Sequence, residues 1–253
     1  MTRVVAVVPA RLASSRYPDK PLVRIAGLPM VEHVRRRAAL AAGVDEVVVA
    51  TCDERIRSAV EGYGGRVVMT AATHQRATDR VEEAARSLDA DVIALVQGDE
   101  PLLIPDTVAA AIAPILGDAR VGCTNLLSRL SGPEDVRDPD IVKAACARNG
   151  DVLFLTRAPI PYVRQPGDVP VYRQTGIMAL RKEWLTEFAA LPETPLERAE
   201  SVDMLRLLEH GRSIRGVVTE RSTLGVDRPD DVAPVERALR EDAEQRSLWE
   251  RIR

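Results

Sequence analysis

The sequence predicts an α/β fold built on parallel strands, and three observations carry that prediction. Short β-branched runs alternate with helix-period segments through the first half of the chain. The connections between them are brief, which in an alternating pattern calls for right-handed crossovers and parallel pairing. The chain has 253 residues, 45% of them apolar and 29% charged, enough to bury a core without disulfides or metals.

Taken in order, Val4 to Val8 is a run of Val and Ala suited to a strand buried on both faces. A polar loop with prolines follows to Gly27, and Pro29 opens a helical pattern that reaches about Ala42 before Gly43. Glu46 to Thr51 reads as the second buried strand. Asp53 is placed to cap a helix ending near Gly62, and Arg66 to Met69 reads as a third strand. Thr78 to Leu88 is expected to be helical, Asp91 to Val96 a fourth strand, and Pro105 the start of a helix to about Leu116. The second half is less regular. Gly132 to Pro139 reads as a polar loop, and Ile141 to Ala147 with Val152 to Thr156 as a hairpin around Asn149-Gly150. Gly176 to Leu180 is a further strand, Pro195 to Gly211 one helix, and Pro229 onward a last helix. This irregular middle is expected to be a subdomain inserted into, or packed beside, one α/β unit.

Composition removes several function classes. Net charge is -3 with no basic tail, and aromatics are only 3%, which argues against a nucleic-acid binder that stacks bases. No apolar run approaches membrane length, and Val4 to Val8 is too short for a signal peptide, so the expected location is the cytoplasm. The three cysteines are odd in number and lack metal-ligand spacing, so they read as reduced thiols.

In parallel sheets, ligands bind beyond the carboxyl ends of the strands. The loop after the first strand, Pro9-Ala10-Arg11 to Lys20, carries Arg11, Arg16 and Lys20, a set able to surround a triphosphate. It is neither a Walker A sequence nor G-x-G-x-x-G. On charge alone, a solvated basic loop is an equally good reading. Gln97-Gly98-Asp99-Glu100-Pro101 follows the fourth strand, where a carboxylate can take Mg²⁺ together with substrate phosphates. Asp227 is a candidate second carboxylate, although on its own it reads more simply as a cap of the last helix. Among the histidines, His74 alone is placed near these loops, and Glu197, Glu200 and Asp203 read as a solvated helix face. No nucleophile elbow is present.

These segments coincide with those of one family. The chain resembles the 3-deoxy-manno-octulosonate (Kdo) cytidylyltransferases through its opening VVAVVPARLASSRYPDKPLVRIAGLPMVEHV and through VVVATCDERI, HQRATDR, LVQGDEP, TPLERAESVDMLR and GVDRPDDV. The resemblance implies a Rossmann-like nucleotidyltransferase fold, a mixed and mostly parallel sheet flanked by helices with a small inserted dimerisation subdomain. It implies a nucleotide-binding part over about 1–120, an acceptor and dimerisation part over about 121–215, and a C-terminal Mg²⁺-site strand and helix over about 216–253. It also implies CTP as co-substrate, Mg²⁺ as cofactor, pyrophosphate as product and a homodimer. Carried over by motif position, Arg11, Lys20 and Asp99 are catalytic, and Pro9, Ala10, Arg11, Arg16, Lys20, Thr78, Arg80 and Gln97 bind nucleotide. Arg76, Arg80, Gln174, Met178, Asp203 and Met204 bind the acceptor, and Asp99 and Asp227 hold the metal.

Three departures bear on the acceptor. Gln174 and Met178 stand where the family has His and Tyr, Met204 stands where it has Gln, and Arg76 replaces a small polar residue. Losing groups that bond hydroxyls changes selectivity strongly. The sequence therefore favours, narrowly, a small phosphonate acceptor such as phosphonoformate over Kdo itself. Two other readings stand beside it. A sugar-1-phosphate nucleotidyltransferase is disfavoured because its opening is glycine-rich, and a non-catalytic nucleotide-binding regulator is disfavoured by the presence of both Asp99 and Asp227.

Overall fold

The computed structural model describes every residue except 1, 14–16, 131, 166, 168 and 222–223. Arg16, expected at the nucleotide, lies outside the described residues. In chain order the elements are β1 (Val4–Ala10), a 3-10 turn (Lys20–Leu22), β2 (Arg24–Ile25), β3 (Leu28–Pro29), α1 (Met30–Ala38), β4 (Glu46–Thr51), α2 (Glu54–Gly62), β5 (Arg66–Met69), α3 (Ala77–Arg86) and β6 (Val92–Val96). There follow α4 (Pro105–Gly117), β7 (Cys123–Arg129), α5 (Pro133–Arg137), β8 (Lys143–Cys146), β9 (Val152–Thr156), β10 (Tyr172–Arg181), α6 (Lys182–Ala190), α7 (Pro195–Glu200) and α8 (Leu205–Glu209). The chain closes with β11 (Arg215–Thr219), a 3-10 turn (Pro229–Asp231), α9 (Val232–Glu241) and α10 (Ala243–Ile252).

The chain divides into two compact units. The first comprises Met1–Ala109 with Thr223–Arg253, and the second is Ala110–Ser222, inserted between them. In the first unit the strands run β6-β1-β4-β5, all parallel, with Val5 opposite Glu46 and Val4 opposite Val92. β1, β4 and β6 are buried along nearly their whole length, which is why they read as continuous apolar runs rather than alternating ones. Their carboxyl ends deliver Pro9-Ala10, Thr51 and Val96 to one edge, so the loops that follow are gathered there.

In the second unit β10 pairs antiparallel with β7 and β8, β8 pairs antiparallel with β9, and β11 pairs parallel with β7. Taken together with the parallel strands of the first unit, these pairings give the mixed, mostly parallel sheet flanked by helices that the resemblance implies. The β8–β9 hairpin turns where expected, with Gly150 at φ +88°, a conformation only glycine adopts at no cost.

Four expectations need correction. The segment 133–137 is a short helix, α5, not loop, because Pro133 sits at its first turn and Glu134 and Asp135 favour that end. The helix expected over Pro195 to Gly211 is two helices, broken at Ser201 with φ +53°. The last helix is likewise two, because Asp242 is extended and caps α10 by accepting from the Gln245 N–H at 2.8 Å. The solvated face of Glu197, Glu200 and Asp203 is not one. Glu197 is fully buried against Arg206 at 2.6 and 2.8 Å, and Glu200 accepts from the Thr156 hydroxyl and the Arg157 N–H. β7 and α6 had no sequence expectation, since their apolar residues are interrupted by polar ones that tertiary contacts satisfy, whereas β11 falls in the strand expected after about residue 216. In β7, for example, the buried Thr124 hydroxyl donates to the Ala111 carbonyl at 2.7 Å.

Candidate active site

Three chain segments far apart in sequence meet beyond the carboxyl ends of β1 and β6. The 3-10 turn after the cationic loop presents Lys20, whose Nζ lies 3.1 Å from Asp99 Oδ2 and 3.1 Å from Asp227 Oδ1. Asp99 belongs to the loop after β6. Asp227 precedes the 3-10 turn at Pro229, and its segment is tied to the Asp99 loop by the Val226 N–H, which donates to the Asp99 carbonyl at 2.9 Å. Gly98 must be glycine here, because a Cβ would lie 3.0 Å from the Pro9 carbonyl of the neighbouring strand.

Neither carboxylate acts as the simple cap that its position alone suggests. Asp231, at the end of the 3-10 turn, reaches back and accepts from the Asp227 and Arg228 N–H groups at 2.8 Å each, closing that turn. Those two donors hold the Asp231 carboxyl below the usual carboxylate range. Asp53 does stand at the start of α2, but its carboxylate makes no cap there. It accepts instead from the Leu12 N–H at 2.8 Å, fixing the first turn of the cationic loop. Asp19 pairs with Arg55 at 2.9 Å at the other end of that loop. These anchors were missed because an Asp at a helix start is the ordinary cap signal, and a partner some 40 residues away leaves no mark in the local pattern.

Beside the triad opens a pocket of about 320 Å³. Of the expected nucleotide residues, Pro9, Ala10, Arg11, Lys20, Arg80 and Gln97 line it, and so do Arg76 and Asp99. Thr78 does not line it, being fully buried in the first turn of α3. Arg80 is nearly buried, with Nη1 donating to the Thr70 hydroxyl at 2.5 Å, while its Nη2 has no hydrogen-bond partner among the described residues. A buried guanidinium donor left unpaired beside a polar pocket is the arrangement a ligand oxygen completes. The loop carrying His74, Gln75 and Arg76 is held by Glu83, which accepts from the Ala71 N–H at 2.9 Å and from His74 Nε2. The Ala71 N–H, and after it His74, keeps the Glu83 carboxyl below its usual range. Glu83, like Asp53 and Asp19, supports the site without any local signal in the sequence.

The remaining acceptor candidates belong to the second unit. Gln174 and Met178 lie on β10, and Asp203 and Met204 between α7 and α8. Met204 is fully buried and Met178 nearly so, which makes both part of that unit's apolar interior. Among the described residues, no cluster of three His, Cys, Asp or Glu forms a metal cage. All three cysteines are free thiols, and no described helix is long and apolar enough to cross a membrane.

Known proteins share the sequence and the fold of this chain. The cytidylyltransferase family profile matches residues 5–214. A 3-deoxy-manno-octulosonate cytidylyltransferase of Syntrophotalea carbinolica is 45% identical over 246 residues, covering 94% of this chain and 98% of that protein. The enzyme of the same name from Myxococcus xanthus is 47% identical over 241 residues, covering 94% and 97%. The solved structure of a CMP:2-keto-3-deoxy-manno-octonic acid synthetase complexed with CTP superposes with a TM-score of 0.91 at 37% identity, covering 95% of this chain and all of that one. A cytidylyltransferase from Leptospira borgpetersenii, at 15% identity and a TM-score of 0.65, shares the fold. The chain therefore belongs to the 3-deoxy-manno-octulosonate cytidylyltransferase family of nucleotidyltransferases.

Proposed function

We propose that this enzyme transfers CMP from CTP to Kdo, releasing pyrophosphate. The acceptor preference drawn from residues 174, 178 and 204 is thereby reversed. The relatives named for Kdo match at 45% and 47% identity over nearly full length. The burial of Met178 and Met204 gives a physical reason, because apolar residues there fill core volume. Replacing a polar side chain at such a position repacks an interior and need not alter what the pocket bonds.

The observation that carries the reading is Lys20 bridging Asp99 and Asp227 beside a pocket lined by Arg11 and Arg80. In the reaction an acceptor oxygen attacks the α-phosphorus of CTP, the bond to the β-phosphate breaks, and pyrophosphate leaves with the electron pair. Arg11 and Lys20 are placed to balance the triphosphate charge and the charge that grows on the leaving group. Arg80 offers its unpaired donor to the base or the acceptor, and Gln97 lies beside the nucleotide. The carboxylates fit Mg²⁺: two, from separate segments, already surround one cation at 3.1 Å each, and Mg²⁺ takes its other ligands from phosphate and water. When bound, the metal supplies Lewis-acid stabilisation of the phosphate oxygens. A homodimer in the cytoplasm is the setting that the family resemblance supports.

The test is pyrophosphate release from CTP and Mg²⁺ with a panel of acids. Kdo should exceed phosphonoformate by at least tenfold in kcat/KM, and faster use of phosphonoformate would restore the opposite reading. Tight CTP binding with no release on any acid would favour a regulatory binding protein.

A further inference from the structure

Helix α1 looks from its sequence like an ordinary surface helix with three consecutive arginines, yet Arg37 is 0% exposed. A guanidinium removed from water needs its donors satisfied, and a carboxylate normally does this. Among the described residues Arg37 has no such partner. Its Nη1 donates to the Leu103 carbonyl at 3.1 Å and to Gln245 Oε1 at 2.8 Å, while Nε and Nη2 are unpaired. Burial pushes its pKa down to about 10.

Both acceptors of Arg37 lead to the same loop. Gln245, on α10, donates Nε2 to the Leu102 carbonyl at 3.1 Å. Two adjacent carbonyls, just beyond Asp99, are thus held from behind by one buried pair. The Leu103 N–H closes the turn onto the Glu100 carbonyl at 3.0 Å, and the Val226 N–H takes the Asp99 carbonyl on the other side. The apolar cluster around this turn repeats the pattern. It joins Ile25, Leu102 and Val226, each within five residues of Lys20, Asp99 or Asp227, to Val235 and Leu239 of α9. The C-terminal helices therefore form the back wall of the site, although they lie beyond the span of the family profile.

We infer that Arg37 and Gln245 are positioning residues, a buried polar pin that fixes the Leu102–Leu103 carbonyls and so aims the Asp99 carboxylate at the site of the cation. The inference rests on the metal role proposed above for Asp99. Misplacing a reacting or coordinating group by about 1 Å can lower a rate on the order of 100-fold.

Gln245→Glu separates positioning from stability. The new carboxylate gives Arg37 a counter-ion, but the Leu102 carbonyl loses its donor. The variant should melt at or above the wild-type temperature while the Mn²⁺ affinity of its CTP complex, read by EPR of the unbound ion, weakens about tenfold. Its Mg²⁺ requirement in turnover should rise in parallel, and metal-free CTP binding by calorimetry should be unchanged. Gln245→Leu should weaken Mn²⁺ binding as much, with a lower melting temperature. If Gln245→Glu does not fold, Arg37→Lys, with one cationic donor, carries the same expectation. Wild-type Mn²⁺ affinity in the folded variants, with Asp99→Asn inactive, overturns this inference alone. Normal turnover by Asp99→Asn overturns the metal reading and this inference together.

Discussion

Replacing Lys20 by Met should separate catalysis from folding. The Lys20 side chain is only 14% exposed, but its partners Asp99 and Asp227 are 39% and 53% exposed, so water screens both ion pairs. At 3.1 Å and a water-like dielectric, each pair amounts to about 1.3 kcal/mol of attraction. Side-chain ordering offsets part of that, and exposed pairs typically contribute about 0–1 kcal/mol. Lys20→Met, which keeps the aliphatic stem, should therefore cost roughly 1–2 kcal/mol and lower the melting temperature by about 2–6 °C. Its effect on turnover should be much larger. Removing one preorganised donor from a developing anion costs about 2.7–4 kcal/mol, a fall in kcat of about 100- to 1,000-fold. Continuous pyrophosphate release at saturating CTP, Mg²⁺ and Kdo measures the rate, and thermal melting of the same preparation measures the fold. A folded Lys20→Met enzyme with more than a tenth of wild-type kcat would refute the assignment of Lys20 to the reacting phosphates.

Two further predictions concern the scaffold. His33 is fully buried, donates to the Ile25 carbonyl at 2.8 Å and stacks on Trp249, and burial lowers its pKa to about 4. With a folded value below the unfolded 6.5, its contribution is intact above pH 6.5 and lost as pH falls towards 4. Wild type should lose about 3 kcal/mol more than His33→Gln between pH 7 and pH 4 in urea melts, and parallel curves would contradict this. Glu197 pairs with Arg206 at 2.6 and 2.8 Å in the interior of the second unit. Glu197→Ala removes the buried carboxylate to which Arg206 donates twice and should cost about 3–5 kcal/mol, whereas a loss below 1 kcal/mol by denaturant titration would refute the weight given to this pair.

The site was legible in sequence wherever its signal was local. Arg11, Lys20, Gln97 and Asp99 sit in loops directly after buried strands, and such loops must emerge at the carboxyl edge of a parallel sheet. Glu83, Asp53, Gln245 and Arg37 left no trace. Each acts through a partner in another segment, and each has an innocent local reading as a helix face or cap. The acceptor reading turns on the same point: a Met in place of a polar residue reads as a changed pocket until its burial is known.

By itself the sequence determined the alternation of strands and helices, because burial on both faces of a parallel strand writes a continuous apolar run and an amphipathic helix writes its own period. It also determined that a cationic loop and a carboxylate loop share one edge. Only the tertiary structure brought Asp227, 207 residues along the chain, to 3.1 Å from Lys20 Nζ, and turned the Asp231 carboxylate back onto the Asp227 and Arg228 N–H groups. It alone decided that the long helical patterns break at Ser201, which turns into the left-handed region, and at Asp242, which is extended and caps the helix that follows. Propensity acts between residues a few positions apart, whereas ion pairs and buried hydrogen bonds form between whichever groups the fold brings together.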